Sequence, residues 1–245
     1  MATILVGTSG WSYAGWRGSF YPKTLPSRRH LEFYAKEFPT TEVNYSFYHL
    51  PRPATYESWA AQVPEPFVFA LKASRLITHV KRLANAEEPW RVFVSNAEPL
   101  GTHLGPILLQ FPPSFQRDTD RLAAFLAIAG REPPRPLRLV CEFRHESWFT
   151  KPVYRLMERH QVALCIADSP RYPRRDVLTA DFTYLRFHGR EKLFASCYTK
   201  PQLVEEARAI TRYARQGLEV YAYFNNDAQG YAVQNARLLR ELLGQ

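Results

Sequence analysis

Eight times along this chain a short run of strand-forming residues gives way to a polar or charged cluster. The runs are ILVGTSGW from Ile4, TTEVNYSFY from Thr40, FVFALKASR from Phe67, ILLQFPP from Ile107, LRLVCEFRH from Leu137, VALCIADS from Val162, FTYLRFHG from Phe182 and EVYAYFNND from Glu219. Each is too short to cross a membrane, and most are followed by a helical pattern. Strands that alternate with helices argue for a parallel sheet. Eight such units suggest a closed α/β barrel of the (β/α)8 TIM type, and 245 residues is a common length for one. The expectation is a single domain over 1–245.

The helices are legible in the same way. After Asp118, an N-cap residue type, Leu122, Phe125, Leu126 and Ala129 recur at intervals of three and four before Gly130. Thr199 and Pro201 open a second stripe of Leu203, Ala207, Ile210 and Ala214 that stops at Gly217. Val233, Ala236, Leu239 and Leu243 form the last. One unit departs from the pattern: between 168 and 181 lie two prolines and three arginines with no helical period, which predicts an irregular, extended crossover after strand six. The proline-rich stretch 131–136 is too short for a domain linker.

An apolar fraction of 46% supplies ample core. No segment reads as a transmembrane helix, and the chain enters Ile4 without the basic and apolar regions of a signal peptide, so the expected setting is cytoplasmic, with no membrane partner. The three cysteines have no zinc-like spacing; Cys141 and Cys165 lie in strand runs and read as small core residues, whereas Cys197 lies in a loop. A formal net charge of +9 favours anionic partners, either a small molecule or nucleic acid. The basic residues are scattered, with modest clusters at Arg28 and Arg29, Lys81 and Arg82, and Arg171, Arg174 and Arg175. The last cluster follows strand six directly and so belongs on the functional rim.

In a (β/α)8 barrel the working groups gather where strands end. Alternation places Glu42 and Asn44 on one face of the second strand, Glu142 and Arg144 on one face of the fifth, and Arg186 and His188 on one face of the seventh. Lys72, Gln110, Asp168 and Asn225 align with them at other strand ends. Such a ring exceeds what barrel closure needs, although Glu142 with Arg144 or Arg186 could be a purely structural pair. Trp11, Tyr13, Trp16, Tyr45, Phe47, Tyr48 and Trp148 surround the same rim. Of these, Trp11 and Trp148 are the better candidates for stacking on a ligand.

The words GTSGWSYAGWRGSFYP, EVNYSFYHLP, FALKASRLITH, LLQFPPSF, EFRHESWF, YLRFHGR and YFNNDAQGYAVQNARLL resemble those of the YecE-like family, also catalogued as domain of unknown function seventy-two. The resemblance runs from Ile4 nearly to the last helix and implies a TIM-type barrel, but it brings no reaction with it. It marks Gly7, Thr8, Ser9, Gly10, Trp11, Glu42, Asn44, Lys72, His79, Glu142, Arg144, His145, Trp148, His188, Gly189, Asn225, Asn226 and Asp227 as motif positions.

Four chemistries compete for this ring. The first is a phosphate-directed enzyme, hydrolysis leading, in which Lys72, Arg144 and Arg186 neutralise developing charge and Glu142 or His188 moves a proton. A divalent manganese or zinc could assist if Glu142, His145, Asp168 and His188 converge, although no HxH or HExxH motif supports it and the cofactor stays unassigned. The second is carbohydrate chemistry between Glu42 and Glu142. The third is a non-catalytic nucleic-acid-binding module. The fourth, a Schiff base at Lys72, ranks last because neighbouring glutamates tend to keep the amine protonated. The leading expectation assigns catalysis to Glu42, Glu142, His188 and Asp168. It assigns substrate binding to Trp11, Asn44, Tyr48, Lys72, Arg144, His145, Trp148, Arg186, Asn225, Asn226 and Asp227. Oligomeric state is not legible.

Overall fold

The computed structural model describes residues 2–130 and 136–245, so most of the proline-rich stretch 131–136 lies outside the described residues. Eight strands appear where the runs place them: β1 (Ile4–Ser9), β2 (Thr40–Val43), β3 (Val68–Lys72), β4 (Leu104–Gln110), β5 (Leu139–Glu142), β6 (Ala163–Asp168), β7 (Phe182–Phe187) and β8 (Glu219–Phe224). They pair in parallel in sequence order, and β8 returns to β1 to close the barrel. The α-helices are α1 (His30–Glu37), α2 (Tyr45–Tyr48), α3 (Pro53–Ala60), α4 (Glu87–Ala97), α5 (Thr119–Ala129), α6 (Lys151–Arg159), α7 (Lys200–Arg215) and α8 (Tyr231–Leu242). No described helix is long and apolar enough to cross a membrane.

The capping chemistry works as the sequence suggests. The Asp118 carboxylate accepts from Arg121 N–H at 3.0 Å to start α5, and Thr199 with Gln202 forms a reciprocal capping box on α7. The stretch 169–181 is an extended crossover with no helix. Two boundaries differ from expectation. β2 stops at Val43, and the aromatic run after it turns into the single-turn helix α2, whose residues a strand reading would have kept extended. β4 begins at Leu104, three residues before the apolar run, because Pro106 lacks only the N–H and can sit where the β3–β4 register shifts between Phe69 and Leu71.

Strand alternation divides the apolar residues into two cores. Leu5, Ala70, Leu108, Val140, Cys165, Tyr184 and Tyr223 point into the barrel. Val6, Leu71, Leu109, Cys141, Ile166, Leu185 and Phe224 point out beneath the helices. Cys141 and Cys165 are thus core residues, and burial raises both thiol pKa values. Cys197 is exposed. Continuing the inward phase to the carboxyl ends of the strands brings Glu42, Lys72, Gln110, Glu142 and Arg186 to one level, the floor of the mouth.

Candidate functional site at the barrel mouth

Arg186 is the hub of that floor. Its Nε and Nη2 donate to the two oxygens of Glu42 at 2.9 and 2.7 Å, and its Nη1 donates to Glu142 Oε2. Ser9 Oγ and Tyr184 OH each donate to Glu42 at 2.7 Å, while Arg144 Nε donates to Glu142 Oε1 at 2.7 Å. Burial alone would raise the pKa of both carboxyls; the guanidiniums outweigh it, so Glu42 lies below its ordinary value and Glu142 well below. Burial likewise opposes the charge on Arg186, yet the two glutamates hold its pKa well above normal. Two carboxylates and two guanidiniums therefore balance, and every carboxylate oxygen has a donor.

Lys72 stands apart from that balance. Its amine lies 4.0 Å above the Phe47 ring and has no hydrogen bond or ion pair among the described residues. Lys72 is only 8% exposed. Burial first, then Arg186, lowers its pKa to about 7. The expectation that neighbouring glutamates keep this amine protonated is thereby corrected: Glu142 and Glu42 are already spent on arginines, and they do not compensate for lost hydration. His79, edge-on to Phe47 at 4.9 Å, is lowered to about 4 by burial and then by Lys72, Arg144, Arg75 and Arg82. It is neutral at pH 7. Arg144 lies over the ring of Tyr172 at 4.2 Å, so the crossover after β6 contributes a wall of the mouth.

Opposite, Asn225 Nδ2 donates to His188 Nδ1 at 3.2 Å, which leaves the proton on Nε2. That atom faces Glu142 Oε1 at 3.8 Å, beyond hydrogen-bond range, and has no partner within it. Burial and Arg186 lower the His188 pKa to about 4. Beside the floor, over the ends of β1 and β2, lies a cleft of about 390 Å³ lined by Trp11, Asn44, Tyr45, Thr55 and Trp59 among others.

Several expected site residues do not reach the mouth. Asp168 is one step out of phase, with Ala167 in the inward position, so its carboxylate turns toward α7 and is held by Arg190 Nε at 2.9 Å. Trp148 is fully buried, stacked on Phe143 at 4.5 Å, and donates to Phe115 O at 2.7 Å; it is a core residue, not a ligand platform. His145 Nδ1 accepts from Ser147 N–H at 3.2 Å as a local cap. Asn226 donates to Ser196 O and Asn235 Oδ1, both at 2.9 Å, and Asp227 accepts from Trp16 Nε1 at 2.7 Å; both residues tie loops together. Tyr48, 70% exposed, stands outside on the rim. The suggested metal set of Glu142, His145, Asp168 and His188 therefore does not converge, and no group of three or more potential ligands of the His, Cys, Asp and Glu types occurs among the described residues. Arg174 and Arg175 are held by Glu206 and Glu146, which removes them from any basic track.

Phe47, Tyr172 and Trp59 complete the mouth. Sequence reading places Phe47 among the rim aromatics without a ligand role and gives the other two no role, because only the folded loops bring them beside Lys72, Arg144 and Trp11.

Fold and site together define a (β/α)8 barrel with a cation-rich carboxyl-terminal mouth over a neutralised ionic floor. The chain belongs to the family described as "Protein of unknown function DUF72", which matches residues 5–245. It is 29% identical over 274 residues to UPF0759 protein YunF of Bacillus subtilis (strain 168), covering 98% of this chain and 94% of that one. A crystal structure of a DUF72 family protein from Thermotoga maritima MSB8 superposes with a TM-score of 0.88 at 28% identity, over 99% of this chain and 100% of the other. A second, from Enterococcus faecalis V583, gives 0.81 at 23% identity over 100% and 99%, and shows the shared fold.

Proposed function

We propose that this protein is an enzyme acting on an anionic, phosphate-bearing substrate at the barrel mouth, and that the reaction is phosphoester hydrolysis. The observation that carries the reading is surplus positive charge. Glu42 and Glu142 are balanced by Arg186 and Arg144, Lys72 has no acid of its own, and the charges that weigh most on His79 are cationic. A cationic concavity favours an anion over a neutral sugar, and a carboxylate pair whose oxygens are all occupied is poorly placed to serve as acid and base for a glycoside.

Lys72 and Arg144 would hold the phosphate and meet the charge that grows on it. His79 supplies a neutral imidazole for proton movement. Thr78 Oγ1 donates to Ser74 O at 3.2 Å, so His79 Nδ1–H donates to Thr78 Oγ1 at 2.9 Å and Nε2 keeps its lone pair. A bound dianion would raise the His79 pKa toward neutrality, where a general base works best. The test is a screen of phosphomonoesters and phosphodiesters, with and without added manganese or magnesium. Turnover should fall by about 100-fold or more in Lys72→Met and Arg144→Gln. Equal turnover in both variants, or none on any phosphoester, would overturn the reading.

A further inference from the structure

The cleft beside the ionic floor is built from aromatic rings in a particular arrangement. Trp59 meets Trp11 and Tyr45 nearly at right angles, with interplanar angles of 85° and 78° and centroids 5.1 and 6.3 Å away. Trp11 and Tyr45 both line this cleft, a slot with aromatic walls. Such a slot suits a planar ring, which stacks by its faces on aromatic side chains. Asn44 lines the same cleft, and its side-chain amide has no hydrogen-bond partner among the described residues. One amide offers an acceptor and a donor side by side, the complement of the adjacent donor and acceptor that a nucleobase edge presents.

The slot adjoins the cationic mouth through α2. Tyr45 lines the slot, Ser46 Oγ donates to Lys72 O at 2.7 Å, and Phe47 lies beneath the Lys72 amine. One turn of helix therefore carries a base-stacking wall and the seat of the phosphate-binding lysine. We propose that the slot lined by Trp11 and Tyr45 is the subsite for the planar base of a nucleoside phosphate, with the base edge against Asn44 and the phosphate at Lys72 and Arg144. This rests on the anionic reading of the mouth and names the rest of the substrate.

The test is calorimetric binding of adenosine 5′-monophosphate, inosine 5′-monophosphate and ribose 5-phosphate to wild type, Tyr45→Ala and Asn44→Leu. Tyr45 is 51% exposed, so its truncation leaves the core intact. The adenine nucleotide should bind about 5- to 150-fold more tightly than ribose 5-phosphate, the span expected for one stacked base. Tyr45→Ala should erase most of that advantage, and Asn44→Leu should weaken both nucleotides while leaving ribose 5-phosphate unchanged. A parallel titration with a 5′-phosphorylated tetra-adenylate distinguishes a free nucleotide from the end of a nucleic-acid strand; tighter binding of either one supports the slot. If ribose 5-phosphate matches the adenine nucleotide and Tyr45→Ala alters neither, the base subsite is overturned and the anionic mouth stands. Failure of every phosphate compound to bind overturns both.

Discussion

At the scale of single residues, the site depends on which charges are already spent. Arg186 bridges two fully buried carboxylates with a planar fork that a lysine cannot reproduce. Arg186→Met leaves both acids without their shared partner and should destabilise the protein by about 3–5 kcal/mol, read as a lower urea midpoint. Arg186→Lys should recover only part of that loss. Because Glu42 and Glu142 titrate lower in the fold than in the unfolded chain, their contribution is present above the unfolded pKa of about 4.3 and is lost as pH falls below it. Lys72 has the opposite sense. With a folded pKa of about 7 against 10.5, the unfolded state holds more protons between those values, so stability rises with pH across that window. Lys72→Met should flatten that slope and raise the melting temperature at pH 7, while weakening sulfate binding. Sulfate keeps a fixed charge, so in wild type its affinity should fall as pH rises through 7 and Lys72 loses its proton. The sequence exposed Lys72, Arg144 and Arg186 as mouth residues through strand phase alone. It did not expose the protonation of Lys72, because that depends on which carboxylate each arginine takes, and four residues, Glu42, Glu142, Arg144 and Arg186, decide it.

At the scale of elements, periodicity did most of the work and failed where a chain reversal overrides it. The stripes of α5, α7 and α8 and their caps follow from intervals of three and four, but the aromatic run after Val43 gives no sign that it winds into α2. Asp168 shows the cost of one residue: a strand-end acid reads as a mouth residue until alternation puts Ala167 inward and Asp168 outward. Trp148 and Trp11 share the same sequence signature, a tryptophan after a strand, yet one is a core residue and the other lines a cleft. Trp148→Ala should therefore cost about 3–5 kcal/mol of stability, whereas Trp148→Phe should leave ligand binding unchanged. Gly7 in β1 is needed for a close approach, since a Cβ there would lie 2.1 Å from the Thr40 carbonyl oxygen. Gly7→Ala should push β1 from β2 and lower the melting temperature, without removing any side chain of the site.

At the scale of the whole molecule, eight strand–polar runs were enough to give the barrel and its working end, because closure and parallel pairing leave one face for the strand carboxyl termini. The net charge of +9 pointed to an anion but not to a place. Much of the surface charge is locally consumed: Arg29 by Glu32, Arg174 by Glu206 and Asp176, and Arg190 by Asp168 and Glu205. The surplus at the mouth is Lys72, which stands beside two glutamates already balanced by Arg186 and Arg144. The most direct measurement is a calorimetric titration of inorganic phosphate at pH 6.5 into wild type, Lys72→Met and Arg144→Gln, each shown to be folded. One saturable site, weakened about tenfold or more by either substitution, is the predicted result. No saturable binding, or binding that neither substitution alters, would contradict the assignment of the mouth to a phosphate-bearing substrate.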